Sequence, residues 1–173
     1  MNFNFHILRK HKTYFAAVAI LTAAILLLLT VHPFVVVGAS MEPVYAHDEL
    51  VFVQSITHRF GISRGDVLVF ENPHDTEHVT IKRVVGLPNE KIMITREGVR
   101  VVDGGGNETM FERGTVIGGD GGGDFEMQLG PEDYLVLGDN RSKSTDSRSF
   151  GAVQMHDIIG KPLLSLNFAF LGM

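Results

Sequence analysis

The sequence predicts a mainly β protein, an antiparallel β-sheet body preceded by a single N-terminal transmembrane helix. Three observations predict it. No Asp, Glu, Lys or Arg occurs between Lys12 and Glu42. Past Pro33, β-branched residues recur in short runs rather than at helical spacing. Those runs are bounded by Gly, Pro and Asn, the residues at which chains turn. The expected division is a basic cytoplasmic segment over 1–13, a membrane anchor over 14–31 and an extracytoplasmic body over 32–173.

The anchor rests on "YFAAVAILTAAILLLLTV", Tyr14 to Val31. Its 18 residues would span about 27 Å as a helix, near the thickness of a bilayer's hydrocarbon core. His32-Pro33 is expected to end it, because proline disfavours helix in the residue before it. Arg9, Lys10 and Lys12 precede it with no acid, which predicts a cytoplasmic N-terminus in the plasma membrane. The rest of the chain holds 12 basic and 20 acidic residues, a balance that gives no support for nucleic-acid binding. The segment has a second reading, a secretory signal cut after Ala39, since Val37-Gly38-Ala39 has the small residues of such a site. The apolar core of a signal is usually about 7–15 residues, shorter than this one, which favours the uncleaved anchor.

The strand candidates follow in order. "ELVFVQSI" is the first, and "DVLVF" stops at Asn72-Pro73. "HVTIKRVV" stops at Gly86, and "KIMIT" and "VRVV" flank a hairpin turn containing Gly98. "FEMQL", "DYLVLG" and "DIIGKPLLSL" complete the set. Residues 103–123 contain nine glycines and read as an inserted flexible loop or loosely ordered hairpin.

With no cysteine, the chain has no disulfide, thiol nucleophile or cysteine zinc site. His74 and His78 are four apart between Pro73 and a strand, where a helical metal pair is not expected, and no metal or cofactor is expected elsewhere. His47 and His156 belong to no recognisable pattern. The densest polar stretch is "LGDNRSKSTDSRSFG", Leu137–Gly151, after the apolar "YLVL". It is either a solvated loop or a buried hydrogen-bond and ion-pair network that orients a site. Lys82 is the second candidate. On an alternating strand it shares a face with Thr80 and Val84, so it is either a snorkelling surface lysine or an enclosed one. If enclosed, desolvation and a nearby Arg83 or Arg148 would lower its pKa enough for it to act as a base.

Taken together, "SMEP" after an apolar segment, "RGDVLVFENP", "IKRVVGLPNEKI" and "GDNRSKSTDSRSFG" resemble the bacterial type I signal peptidases, over Gly38 to about Pro162. The resemblance implies a membrane-anchored serine endopeptidase with a β-rich catalytic domain and a Ser/Lys dyad, cutting exported preproteins after a small-x-small motif. It implies Ser40 as nucleophile and Lys82 as general base, with Ser144 orienting the amine. Asp146 and Arg148 would brace the site, with Gly138, Asp139, Asn140, Arg141, Ser147 and Gly151 completing the block. Gly38, Met41 and Pro43 would shape the turn and oxyanion hole. Phe34, Val35, Val36, Val37, Ala39, Val79 and Ile81 would line the substrate groove. Implied partners are signal peptides, the lipid bilayer and, further out, the secretion translocon. The endoplasmic-reticulum branch has histidine where Lys82 stands. Two positions depart from common members: Val44 replaces a threonine, and Gly38 stands where some members have a serine serving the oxyanion hole. A non-cleaving pilin-assembly factor of the same build is the alternative, and an intact serine and lysine argue against it.

Overall fold

The structure, a computed structural model, describes residues 3–55, 61–114 and 124–167. Helix α1 spans Phe3–Leu28. The strands that follow are β1 Val31–Val35, β2 Leu50–Gln54, β3 Val67–Asn72, β4 Asp75–Gly86, β5 Lys91–Thr95 and β6 Gly98–Val102. Next come β7 Glu108–Arg113, β8 Phe125–Gln128, β9 Asp133–Leu137, β10 Val153–Gln154 and β11 Ile158–Leu166. A second helix, α2, covers only Ser147–Phe150.

Helix α1 begins at Phe3 rather than Tyr14 and ends at Leu28 rather than Val31. No Gly or Pro lies among residues 3–13 to interrupt it. It ends early because the chain is drawn into a sheet: the Thr30 carbonyl accepts from the Ser55 N–H at 3.0 Å and the Ser55 hydroxyl at 3.1 Å. Pro33 is therefore not a helix stop. It sits in β1, an edge strand, where a missing N–H is tolerated. Tyr14, Phe15, Val18, Ile20, Leu21, Ile25 and Leu28 all leave apolar side chains exposed along α1. Thr22 returns its hydroxyl to the Val18 carbonyl at 2.9 Å. Among the described residues no helix is long and apolar enough to cross a membrane, the described side chains of α1 being those of Lys12–Ile25 and Leu28.

The body is two antiparallel sheets, one ordered β1-β2-β11-β3-β4-β9-β10 and one ordered β7-β6-β5-β8. Each expected strand run is present. Three features were not expected, β1, β10 and α2, while β7 fits the hairpin reading of residues 103–123. The 103–123 insertion is in part a regular strand, because Asp103 accepts from the Gly105 and Asn107 N–H groups and turns β6 into β7. Its residues 115–123 lie outside the described residues, as do residues 168–173 of the body. Strand β4 starts at Asp75, so His78 lies on a strand rather than in a loop. Gly98 is paired with Thr95 in the β5–β6 ladder rather than lying in the turn. Its φ of 136° and a Glu112 carbonyl oxygen in the place of a Cβ explain the glycine.

The two sheets are joined through strands buried on both faces. In β9, Leu135 and Leu137 pack with Val85, Ile92 and Val101, while Tyr134 and Val136 pack with Leu68, Phe70 and Phe150. The continuous apolar run "YLVL" thus follows from burial on both sides. A third cluster, Val36, Met41, Val51, Val53, Val69 and Ile81, lies beneath the segment that leads to Ser40.

Candidate active site

Ser40 follows an extended stretch and opens a tight turn. Its neighbour Met41 is fully buried in the third cluster and pins that turn to the core. The Val44 and Tyr45 N–H groups both donate to the Met41 carbonyl at 2.9 Å, and Pro43 follows a cis peptide bond inside the turn. Gly38 has φ 93°, a left-handed conformation that favours glycine, and its N–H donates to His47 Nδ1 at 2.9 Å. A ring nitrogen that accepts is unprotonated, so His47 takes a defined role here that the sequence did not suggest.

Strand β4 brings Lys82 to Ser40 from 42 residues away, with Nζ 2.9 Å from the serine Oγ. Nζ also donates to the Ile81 carbonyl at 3.0 Å. Lys82 is 4% exposed, so the enclosed reading of this lysine holds. Burial lowers its pKa from 10.5 to about 8, against the opposing pull of the Asp146 and Asp139 carboxylates. The expected help from Arg83 and Arg148 is absent, because each is held by an acid. Arg83 binds both Asp139 oxygens at 2.7 and 2.6 Å, and Asp139 raises the arginine's pKa. Arg148 binds both Asp146 oxygens at 2.8 Å.

The polar stretch after β9 is the buried network, not a solvated loop. Asp146 is fully buried, caps α2 through the Arg148 N–H, and accepts the Gly138 N–H at 3.0 Å. Ser147 Oγ accepts the Val136 N–H at 2.9 Å, and Arg148 also donates to the Arg141 carbonyl at 2.8 Å. The Asn140 N–H donates to the Ser40 carbonyl at 2.9 Å, which ties this loop to the serine turn. Gly138 is required for space. A Cβ there would stand 2.6 Å from the Ser40 carbonyl oxygen and closer still to Ser144 Oγ. Ser144 Oγ is buried with no partner among the described residues, so the expected bond to Lys82 is not made.

A groove of about 320 Å³ runs past the pair. Phe34, Val37, Gly38, Ala39, Val79 and Ile81 line it as expected. Val35 and Val36 do not. Val36 is turned into the core, and Val35 is exposed outside the groove lining. Asn72, His78, Thr80, Lys143 and Thr145 line it without having been foreseen. The alternation of Lys143 and Thr145 with Ser144 and Asp146 was the available signal for two of these. Among the described residues no group of three or more His, Asp or Glu could hold a metal ion.

Known proteins share these features of sequence. Residues 9–166 match the family model described as signal peptidase, peptidase S26. Signal peptidase I of Bacillus caldolyticus is 33% identical over 155 residues, covering 83% of this chain and 84% of that protein. Signal peptidase I U of Bacillus subtilis is 30% identical over 165 residues, covering 88% and 86%. The crystal structure of a signal peptidase I from Enterococcus faecalis is 23% identical, with a TM-score of 0.47, over 58% of this chain and 96% of that one. With a family match across most of its length and relatives at this identity, the chain belongs to the signal peptidase family, peptidase S26, and is a hydrolase of peptide bonds.

Proposed function

We propose that this protein removes N-terminal signal peptides from exported preproteins after a small-x-small motif, with Ser40 as nucleophile and Lys82 as general base. The observation that carries the reading is the 2.9 Å approach of a buried amine of pKa about 8 to a serine hydroxyl. Neutral Lys82 takes the Ser40 proton as Oγ attacks the scissile carbonyl. It then gives that proton to the departing amine. Water, deprotonated by the same lysine, releases the acyl group. The Ser40 N–H, which donates to no acceptor among the described residues, is free for the oxyanion.

The groove suits an extended substrate. The Val36 N–H donates to Glu49 and the Gly38 N–H to His47, both toward the body. By alternation, the N–H groups of Val35 and Val37 face outward, along the edge strand and the extended chain that continues it. A substrate strand laid on that edge would deliver its scissile bond to Ser40, with small side chains fitting the shallow apolar wall. The apolar side chains on α1 fit a single-pass anchor with a cytoplasmic N-terminus and an extracytoplasmic body. Such an anchor would hold the site beside membrane-bound preproteins, near the lipid and the translocon.

The test is cleavage of a preprotein carrying a small-x-small site, in detergent, by wild type, Ser40→Ala and Lys82→Met, each checked for folding. Wild type is expected to cut after the small residue and both variants to lose activity by at least about 10³-fold. The kcat/KM profile should rise with pH through about 8, as Lys82 loses its proton. Retained cutting by Lys82→Met would sink the dyad.

A further inference from the structure

Among the charged groups lining the groove, Lys143 has no role in the chemistry above and no ion-pair partner among the described residues. Lys143 sits on the loop between β9 and α2, exposed, at the same groove as Ser40 and Lys82. Its backbone N–H donates to the Asn140 carbonyl at 3.0 Å, which fixes the loop, while its ammonium has no ion-pair partner among the described residues. Most other cations of the body are engaged: Arg64 with Glu90, Arg83 with Asp139, Arg141 with Glu112, Lys161 with Asp66. No Asp or Glu lines the groove. A chain of net charge −5 therefore presents a free ammonium on one wall of this cleft.

The loop's position says which part of a substrate would meet that wall. The segment leading to Ser40, Val37–Ala39, borders the groove on the N-terminal side of the nucleophile. The loop carrying Lys143 is fastened to the other side, through the Asn140 bond to the Ser40 carbonyl and the close approach of Gly138 and Ser144. A substrate whose residues before the cut lie along Val37–Ala39 would run out over Lys143 and Thr145 after the cut. This rests on the peptidase reading above. We propose that Lys143 is a specificity-determining residue: it favours substrates with a carboxylate among the first residues after the scissile bond and disfavours those with a basic residue there.

The test uses the full chain in detergent and three preproteins that differ only at the second residue after the cut: Glu, Gln or Lys. At about 50 mM salt, wild type should prefer Glu over Lys by about fivefold in kcat/KM, the scale of an exposed ion pair gained against one repelled. The preference should shrink toward one near about 0.5 M salt, where exposed charges are screened. Lys143→Glu should invert it and Lys143→Gln should erase it. Equal rates for wild type on Glu and Lys substrates, or an unchanged preference in Lys143→Glu, overturn the proposal while leaving the peptidase reading intact. Failure of wild type to cut even the Gln substrate overturns the peptidase reading, and this one with it.

Discussion

Lys82 carries a conflict that a stability measurement can read. Below pH 8 the lysine is protonated in both the folded and unfolded chain, and the fold bears a buried cation. Between about 8 and 10.5 the folded chain sheds its proton first, so stability rises with pH across that window. Above it both states are neutral and the penalty is gone. A displacement from 10.5 to about 8 corresponds to about 3 kcal/mol. Lys82→Met is therefore expected to be inactive yet more stable than wild type at pH 7, by up to about 3 kcal/mol, with the gain fading above pH 10. Denaturant unfolding at pH 7, 9 and 10.5 checks this, and a variant less stable at pH 7 would contradict it. Asp146 and Asp139 temper the same conflict from outside, since each raises the lysine's pKa while its own charge is held by an arginine.

At the scale of elements, the site depends on how closely the β9–α2 loop approaches the serine turn. Gly138→Ala would drive a Cβ into the Ser40 carbonyl and Ser144, so the two segments must part. Overpacking of this kind costs about 1–3 kcal/mol, and here it falls on the nucleophile, so kcat should drop about 10- to 100-fold with the fold retained. Unchanged kcat in a folded Gly138→Ala protein would show that the approach is not needed. The strands that were legible in the sequence, such as "KIMIT" and "YLVL", are those whose pattern reflects their burial. Strand β1 was hidden because "VHPFV" continues the apolar run of α1 and contains a proline, which only its edge position permits. Strand β7 was legible only as one of two readings, loop or hairpin, because "ETMFER" is mostly exposed and sits between glycines. The short helix α2 is set by one buried cap, Asp146, which no period announces. The serine and lysine were legible as motifs. The Arg83–Asp139 pair was not, because it depends on the register of β4 against β9, where Arg83 stands opposite Leu137. The His47–Gly38 bond likewise depends on how the chain folds back after the serine turn.

For the whole molecule, the described residues predict that helix and body are energetically separate. Among the described residues, none of α1 belongs to any of the three core clusters. Removing residues 1–28 is expected to leave the melting temperature of the body within a few degrees of the full chain, since about 1 kcal/mol moves it by only about 2–8 °C. The same truncation should move the protein from the membrane fraction to the soluble fraction. Thermal melts and fractionation of the two forms check both halves, and a large fall in melting temperature would mean that α1 is part of the fold. The body that remains ends at β1, the first strand of its sheet, with an open edge. An open edge invites any extended chain, including a second copy of the protein, and long ladders of that kind lead to aggregation. Pro33 limits the danger. By the alternation that turns the Val36 N–H inward, the backbone nitrogen of Pro33 faces outward, where it has no hydrogen to offer. A visiting strand finds donors at Val35 and Val37 and then a blank. The edge is thus long enough to hold a short segment in register and too short to seed a growing sheet.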